Sequence, residues 1–295
     1  MITVNWLNSN ETRGVSSITF SGGEVHPNFK IQVPKGKEDA VQTFTIKAQI
    51  LNSDDLMELF LVTDAIRNQV RYDKIDLELL YLPYARQDRV CAPGDAFSLR
   101  VLANLINSQN YASVTCLDPH NAEVTSKLFH NLRVITANTM AIHLASRCQY
   151  DWIVSPDAGA FERVSRFIVS YNMLSPASYH TVAPRQALLL VGSKSRNPET
   201  GELSNTRITI GHSGIEPETL AGSKCLIVDD IADGGRTFSN LAAILREKGA
   251  ERIDLFVSHG IFSHGTKGLG LDNVYTTDSL PEKDDGRLVV KRFFY

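Results

Sequence analysis

Long hydrophobic runs are missing from this chain. The longest apolar candidate, Ala187 to Val191, is a strand-sized pulse far short of the ~18 residues a membrane span requires. Nor does the N-terminal stretch MITVNWLNSNETRG follow the basic-then-apolar order of an export signal. Dense basic clusters are wanting too: 30 Lys and Arg oppose 33 Asp and Glu, for a net charge of -3, which argues against a nucleic-acid face. Cysteine is sparse. Cys91, Cys116, Cys148 and Cys225 lie scattered, with no CxxC pair and no metal-like spacing. They read as free thiols, mostly buried, in a protein of a reducing cytoplasmic compartment. No membrane and no nucleic-acid partner is therefore expected.

What is present is an ordinary globular composition, 43% apolar and 21% charged over 295 residues, a length that suits roughly two domains of ~150 residues. Short apolar strands alternate with amphipathic helices. Helices are predicted over residues 54–71, 97–109, 139–147, 161–169 and 237–248, and strands over 75–83, 113–117, 152–155, 187–191, 224–229 and 252–258. Such alternation calls for mainly parallel α/β sheets, because parallel strands need crossover helices. Ligands of such sheets bind at the carboxyl ends of strands. The polar clusters Arg86-Gln87-Asp88, Asp118-Pro119-His120, Pro156-Asp157, Lys194-Ser195-Arg196 and Asp229-Asp230 fall at those ends. Residues 197–218 and 282–287 read as long irregular segments, which in compact domains are functional or disordered.

One segment carries a specific chemistry. In Cys225 to Thr237, CLIVDDIADGGRT, a hydrophobic strand delivers Asp229 and Asp230, then Asp233, then Gly234 and Gly235 before Arg236 and a helix capped near Thr237. Adjacent carboxylates suit sugar hydroxyls, while a glycine turn and a helix N-terminus suit a phosphate. The segment resembles the phosphoribosyl-diphosphate motif shared by type I phosphoribosyltransferases and ribose-phosphate pyrophosphokinases.

Other segments resemble the pyrophosphokinases in particular, in order along the chain. Phe20-Ser21-Gly22-Gly23-Glu24 looks like their ATP loop, and Tyr84-Ala85-Arg86-Gln87-Asp88 like their second nucleotide segment. Leu117-Asp118-Pro119-His120 is similar to the segment whose histidine helps hold Mg²⁺, and Val154 to Gly159 to the one whose aspartate, here Asp157, serves metal and ribose. Lys194 and Arg196 match the pair that opens a catalytic flexible loop, and His259-Gly260-Ile261-Phe262-Ser263 completes the series. Taken singly, each has a plain reading: His120 a satisfied loop histidine, Lys194 and Arg196 solvated charges, Phe20 a stray aromatic, Asp157 a helix cap. Seven matches in order overturn those readings.

The resemblance implies two tandem phosphoribosyltransferase-like domains: an ATP-side domain over residues 1–137, on which a tail of residues 284–295 folds back, and a ribose-phosphate domain over 138–283. ATP would lie between them. It implies Mg²⁺ held by His120 and Asp157, with Phe20, Gly22, Glu24, Arg86, Gln87, Asp88 and His120 at ATP. Asp229, Asp230, Asp233, Gly234, Gly235, Arg236 and Thr237 would hold the ribose phosphate, and Lys194 and Arg196 would be catalytic. The activity implied is transfer of the β,γ-diphosphate of ATP to the anomeric hydroxyl of ribose 5-phosphate by a homo-oligomer, a dimer or hexamer.

Three departures qualify the match. About nineteen residues precede Phe20, fewer than the family usually has, so part of the first domain is expected to be absent. Arg236 adds a cation where the family's 5-phosphate loop has small residues, which opens a second acceptor class such as ADP-ribose, used in NAD synthesis. Pro119 and Ala160 replace an apolar residue and a glycine. A phosphoribosyltransferase shares only Asp229 to Thr237, and a non-catalytic regulatory relative would have lost its charged residues.

Overall fold

The computed structural model describes residues 1–6, 11–31, 40–145, 148–174, 186–193, 207–281 and 288–291. They form two compact units, Met1–Ile135 and Thr136–Tyr295.

The first unit contributes strands β1 (Ile2–Trp6), β2 (Glu11–Gly14), β3 (Ser16–Thr19), β4 (Val25–Asn28) and β5 (Gln42–Ala48), then helix α1 (Ser53–Gln69). It continues with β6 (Tyr72–Glu78), α2 (Ser98–Ser108), β7 (Ser113–Leu117), α3 (Ala122–Leu128) and β8 (Leu132–Ile135). Six strands make one sheet in the order β2-β1-β5-β6-β7-β8. Its four central and distal strands run parallel, while β1 runs antiparallel to both β2 and β5. Strands β3 and β4 stand apart as a two-stranded hairpin.

The helices follow from local chemistry. Asn52 and Asp55 form a capping box at the start of α1, satisfying two of its orphan N–H groups, and Leu59, Val62, Thr63 and Ile66 bury one face. Each large apolar side chain so buried contributes roughly 1.5–3 kcal/mol. The helix stops at Gln69, short of the expected residue 71, because the Arg71 carbonyl turns to accept the Gln42 N–H at the start of β5 (3.0 Å). Thr63 Oγ1 and the Tyr111 hydroxyl, both buried, lie 2.6 Å apart and tie α1 to the start of β7.

The second unit contains α4 (Asn138–Ala145), β9 (Trp152–Ser155), α5 (Phe161–Leu174), β10 (Leu188–Ser193), β11 (Arg207–Ile210) and β12 (Lys224–Ala232). It ends with α6 (Arg236–Glu247), β13 (Arg252–Gly260), β14 (Asn273–Thr277) and β15 (Leu288–Lys291). The sheet order is β11-β10-β9-β12-β13-β14-β15, parallel except for β11. Strand β13 is buried from Ile253 to His259, as a parallel strand covered on both faces should be. Helix α6 buries Phe238, Leu241, Ala242 and Leu245, a stripe with helical spacing. Asp254, wholly buried at the amino end of β13, accepts hydrogen bonds from the Tyr150 hydroxyl (2.6 Å), Arg252 Nε (2.9 Å) and Asn273 Nδ2 (2.9 Å).

Mainly parallel α/β sheets are as expected, but several boundaries differ. The segment 197–218 is not irregular throughout: Arg207–Ile210 pairs with β10, while residues 197–206, like 282–287, lie outside the described residues. Of the tail expected to return to the first unit, residues 284–295, the structure describes Leu288–Lys291. That strand takes its pairing from β14 in the second sheet, and residues 292–295 lie outside the described residues. Among the described residues no helix is long and apolar enough to cross a membrane.

Candidate sugar-phosphate and nucleotide sites

In the second unit the site forms at the carboxyl end of β12. The strand runs past its expected end at Asp229 to Ala232, because pairing with β13 continues through Ile231–His259 and Ala232–Gly260. Asp229 and Asp230 therefore sit within the strand. Asp229 is half-buried and Asp230 almost wholly so. Burial first, and then the neighbouring Asp230 charge, hold the Asp229 carboxyl well above the usual carboxylate range. The Asp230 N–H donates to Asp229 Oδ1 at 2.9 Å. Arg163, from the first turn of α5, reaches both carboxylates, with Nη1 3.5 Å from Asp230 Oδ1 and 4.0 Å from Asp229 Oδ1.

Beyond the strand, Asp233 and Gly234 are exposed and Gly235 adopts a left-handed conformation (φ 76°) as the N-cap of α6. The helix begins at Arg236, one residue before the expected cap near Thr237, and among the described residues no side chain caps it. A helix start of this kind leaves N–H groups without intrahelical partners, which is what an anion needs. Glycine is favoured at 235 because the φ is positive, and a Cβ there would also push on the Leu269 side chain, 2.6 Å from Cδ2. A second glycine-rich segment, Ser263 to Gly270, borders the turn, and a side chain at Gly234 would meet His264 Cδ2 at 3.7 Å. Arg236 and His264 are both exposed.

Asp157 follows β9. Its Oδ1 accepts the Ala160 N–H (3.0 Å), closing the turn into α5, so the plain helix-cap role is real. The side chain is nonetheless exposed, and among the described residues no hydrogen bond or ion pair engages Oδ2. Gly192 of β10 permits this turn's packing, since a Cβ there would fall 2.6 Å from the Pro156 carbonyl oxygen. Lys194 and Arg196, the expected catalytic pair, lie outside the described residues.

In the first unit three segments matter. Phe20 to Glu24 is the tip of the β3–β4 hairpin, closed by Phe20 N–H to the Glu24 carbonyl (2.9 Å) and Gly23 N–H to the Phe20 carbonyl (2.8 Å). Phe20 is 51% exposed, its ring 5.6 Å from that of His26. Gly22 leaves room for the Glu24 carboxylate to fold back over the turn, since a Cβ would lie 2.5 Å from Oε2. Ser17 hydrogen-bonds Glu58, linking the hairpin to α1.

The segment Tyr84 to Asp88 exposes Arg86 and Gln87 but buries Asp88, which accepts a hydrogen bond from Asn121 Nδ2 (2.8 Å). Asn121 also caps α3 by accepting the Val124 N–H (3.1 Å), and it follows the exposed His120 directly. Residues 84–88 and 118–121 are thus tied together, with Asp88 beneath them. Both are entered through a non-glycine residue of positive φ, Tyr84 (60°) and Asp118 (35°), and the second unit's loop has Phe262 (42°). Left-handed conformations of bulky residues cost energy and gather at functional loops.

A divalent cation is compatible with this donor set. Among the described residues no cluster of three or more His, Cys, Asp or Glu could enclose a metal. His120 in the first unit and Asp157 in the second are each exposed, and each offers a donor of a kind that a hydrated divalent ion accepts. Three contributors were not singled out in the sequence: Asn121, Arg163 and His264. Arg163 lay within an amphipathic helix pattern, where an arginine normally marks the solvated face.

Comparison with known proteins places these loops in context. Residues 132–286 match the family model of the phosphoribosyl transferase domain, and residues 9–109 that of the N-terminal domain of ribose phosphate pyrophosphokinase. The chain is 31% identical over 218 residues to a ribose-phosphate pyrophosphokinase of Cereibacter sphaeroides, covering 72% of this chain and 57% of the relative. The counterpart from Brucella melitensis is 30% identical over 220 residues, with 72% and 62% covered. That from Corynebacterium efficiens is 26% identical over 285 residues, with 94% and 79% covered. Against the first two, the chain spans only about three fifths of the relative's length, 57% and 62%. Among solved structures, phosphoribosylpyrophosphate synthetase from Mycobacterium smegmatis shares the fold, with a TM-score of 0.71 at 21% identity over 94% of this chain and 85% of that one.

Proposed function

This chain belongs to the ribose-phosphate pyrophosphokinase family, and from that premise we propose that it transfers the β,γ-diphosphate of ATP to the C1 hydroxyl of ribose 5-phosphate. The products are phosphoribosyl diphosphate and AMP. The observation that carries the reading is the end of β12, where two carboxylates precede a left-handed glycine and an uncapped helix start in a domain of phosphoribosyl transferase type. Carboxylates Asp229 and Asp230 accept hydrogen bonds from the ribose hydroxyls. The backbone of Asp233 to Thr237, with the positive end of α6, takes the 5-phosphate.

On the nucleotide side, Phe20 offers an exposed ring to the adenine, with Gly22 and Glu24 shaping the hairpin tip. Arg86 and Gln87 bind the phosphates. Asp88 acts from below, holding that segment to Asn121 and so to His120. His120 and Asp157 are the residues to hold Mg²⁺, which when bound neutralises charge on the diphosphate oxygens. In the transfer, the anomeric oxygen forms a bond to the β-phosphorus as its proton departs. The bond from that phosphorus to the α,β-bridging oxygen breaks, and its electron pair leaves with AMP. Catalysis here is positioning and charge neutralisation, with no covalent enzyme intermediate. Lys194 and Arg196 neutralise the leaving oxygen. The same reading takes ATP and a ribose 5-phosphate acceptor as partners of a homo-oligomeric enzyme.

A second acceptor is favoured by one observation: exposed Arg236 and His264 border the glycine turn, the arginine adding a positive charge and the histidine a polar ring beyond what a monoester phosphate needs. A ribose whose 5-phosphate continues into a diphosphate, as in ADP-ribose, would use them. AMP release from ATP and Mg²⁺, measured with each acceptor in turn, separates the readings. Turnover on ribose 5-phosphate is expected. Turnover confined to ADP-ribose would move the assignment to the extended acceptor, and silence with both, alongside intact ATP binding, would leave a non-catalytic regulator.

A further inference from the structure

Arg163 is not accounted for by the residues assigned above. It leaves the first turn of α5, is only 16% exposed in its side chain, and lies between the two carboxylates of the sugar site. Nη1 is within 4.0 Å of Asp229 Oδ1 and 3.5 Å of Asp230 Oδ1, and Asp229 Oδ1 also receives the Asp230 N–H. The inner edge of the carboxylate pair is therefore held from the α5 side. We propose that Arg163 is a positioning residue of the sugar site: it sets the affinity for the ribose phosphate through Asp229 and Asp230. This inference rests on the sugar-binding reading of those two aspartates.

Three considerations support it. First, neighbouring carboxylates on one strand repel each other and an incoming sugar phosphate, and a guanidinium between them offsets both effects. Second, α5 begins at the turn that Asp157 closes, through its bond to the Ala160 N–H, so a single element sets Arg163 and the Asp157 turn together. Its start is pinned further by Phe161, whose ring lies 3.7 Å from that of His212. Third, Arg163 meets both carboxylates through a single nitrogen, Nη1, at ion-pair distance, so it acts on the two of them together as one positive charge. A buried ion pair is weak grounds for stability by itself, so a binding role is the more informative assignment.

Titration calorimetry with ribose 5-phosphate in the presence of Mg²⁺ tests this apart from turnover, using the full chain as wild type, Arg163→Gln, Arg163→Lys and Asp230→Asn. Arg163→Gln is expected to bind ribose 5-phosphate at least tenfold more weakly, with ATP affinity within threefold of wild type. Arg163→Lys falls between the two and serves as the deciding variant should Arg163→Gln fail to fold. Because the arginine acts through the aspartates, adding Arg163→Gln to Asp230→Asn should cost less than it does alone. Equal sugar binding by wild type and the arginine variants overturns the inference alone, as does an equal loss of ATP affinity. No sugar binding by wild type overturns the sugar reading and the inference together.

Discussion

Asp229 keeps its proton more readily than an ordinary carboxyl, because it is buried and because Asp230 stands next to it. The consequence for stability has a definite sign. A carboxyl raised in the folded state favours folding at pH below the unfolded carboxylate range. That contribution is lost as pH climbs through its higher folded value. At neutral pH the pair is therefore a cost carried for binding. Asp229→Asn is expected to raise the melting temperature of the ligand-free protein at pH 7.5, by roughly 2–4 °C for each kcal/mol relieved. The gain should shrink to nothing near pH ~3–4, where the unfolded carboxyl also keeps its proton. Thermal melts across that range decide the matter, and a lower melting temperature at pH 7.5 would mean that the Arg163 bridge outweighs the repulsion. The residues behind this balance were only half legible. Two adjacent aspartates before a glycine turn announce a sugar and a phosphate, but nothing in the local sequence links Arg163 to them, since the link is made by the packing of α5 on β9 and β12.

At the scale of elements, the parallel strands and their helices stood out because each parallel strand is a short apolar pulse and each helix shows an apolar stripe. Strands β7 and β9 and helix α2 were legible almost to the residue. Strands β1 to β5 were not predicted. Their information lies in pairing with distant partners, and the β3–β4 hairpin is polar and exposed, with a burial pattern that marks no buried face. The extension of β12 through both aspartates was hidden for the same reason, because only its register with β13 reveals it. One contact between elements can be tested directly. In Gly192→Ala the new methyl would meet the Pro156 carbonyl oxygen at 2.6 Å, a backbone atom that cannot swing aside. A loss of roughly 1–3 kcal/mol is expected from chemical denaturation, together with weaker sugar binding as the Asp157 turn shifts. Unchanged stability and binding would show that the turn and β10 are not coupled as described.

For the whole molecule, the α/β class follows from the alternation of strands and helices, while the pairing of β15 with β14 in the second sheet depends on a distant partner that local sequence does not reveal. The pair Lys194 and Arg196 falls outside the described residues, so their part in the chemistry rests on the resemblance. Mutation offers an approach to it. Lys194→Ala should abolish turnover while leaving ATP affinity within a few-fold, since its contribution belongs to the transition state. A large loss of ATP affinity with turnover preserved would remove it from that role.

The central claim is that two phosphoryl groups leave ATP as one unit and arrive on a sugar. The most direct measurement uses ATP labelled separately at the α, β and γ phosphorus, with Mg²⁺ and ribose 5-phosphate, and follows each label to product. The account predicts that the β and γ labels appear together on the sugar and the α label in AMP. Transfer of the γ label alone, with ADP left behind, or release of both labels as free phosphate, would contradict it.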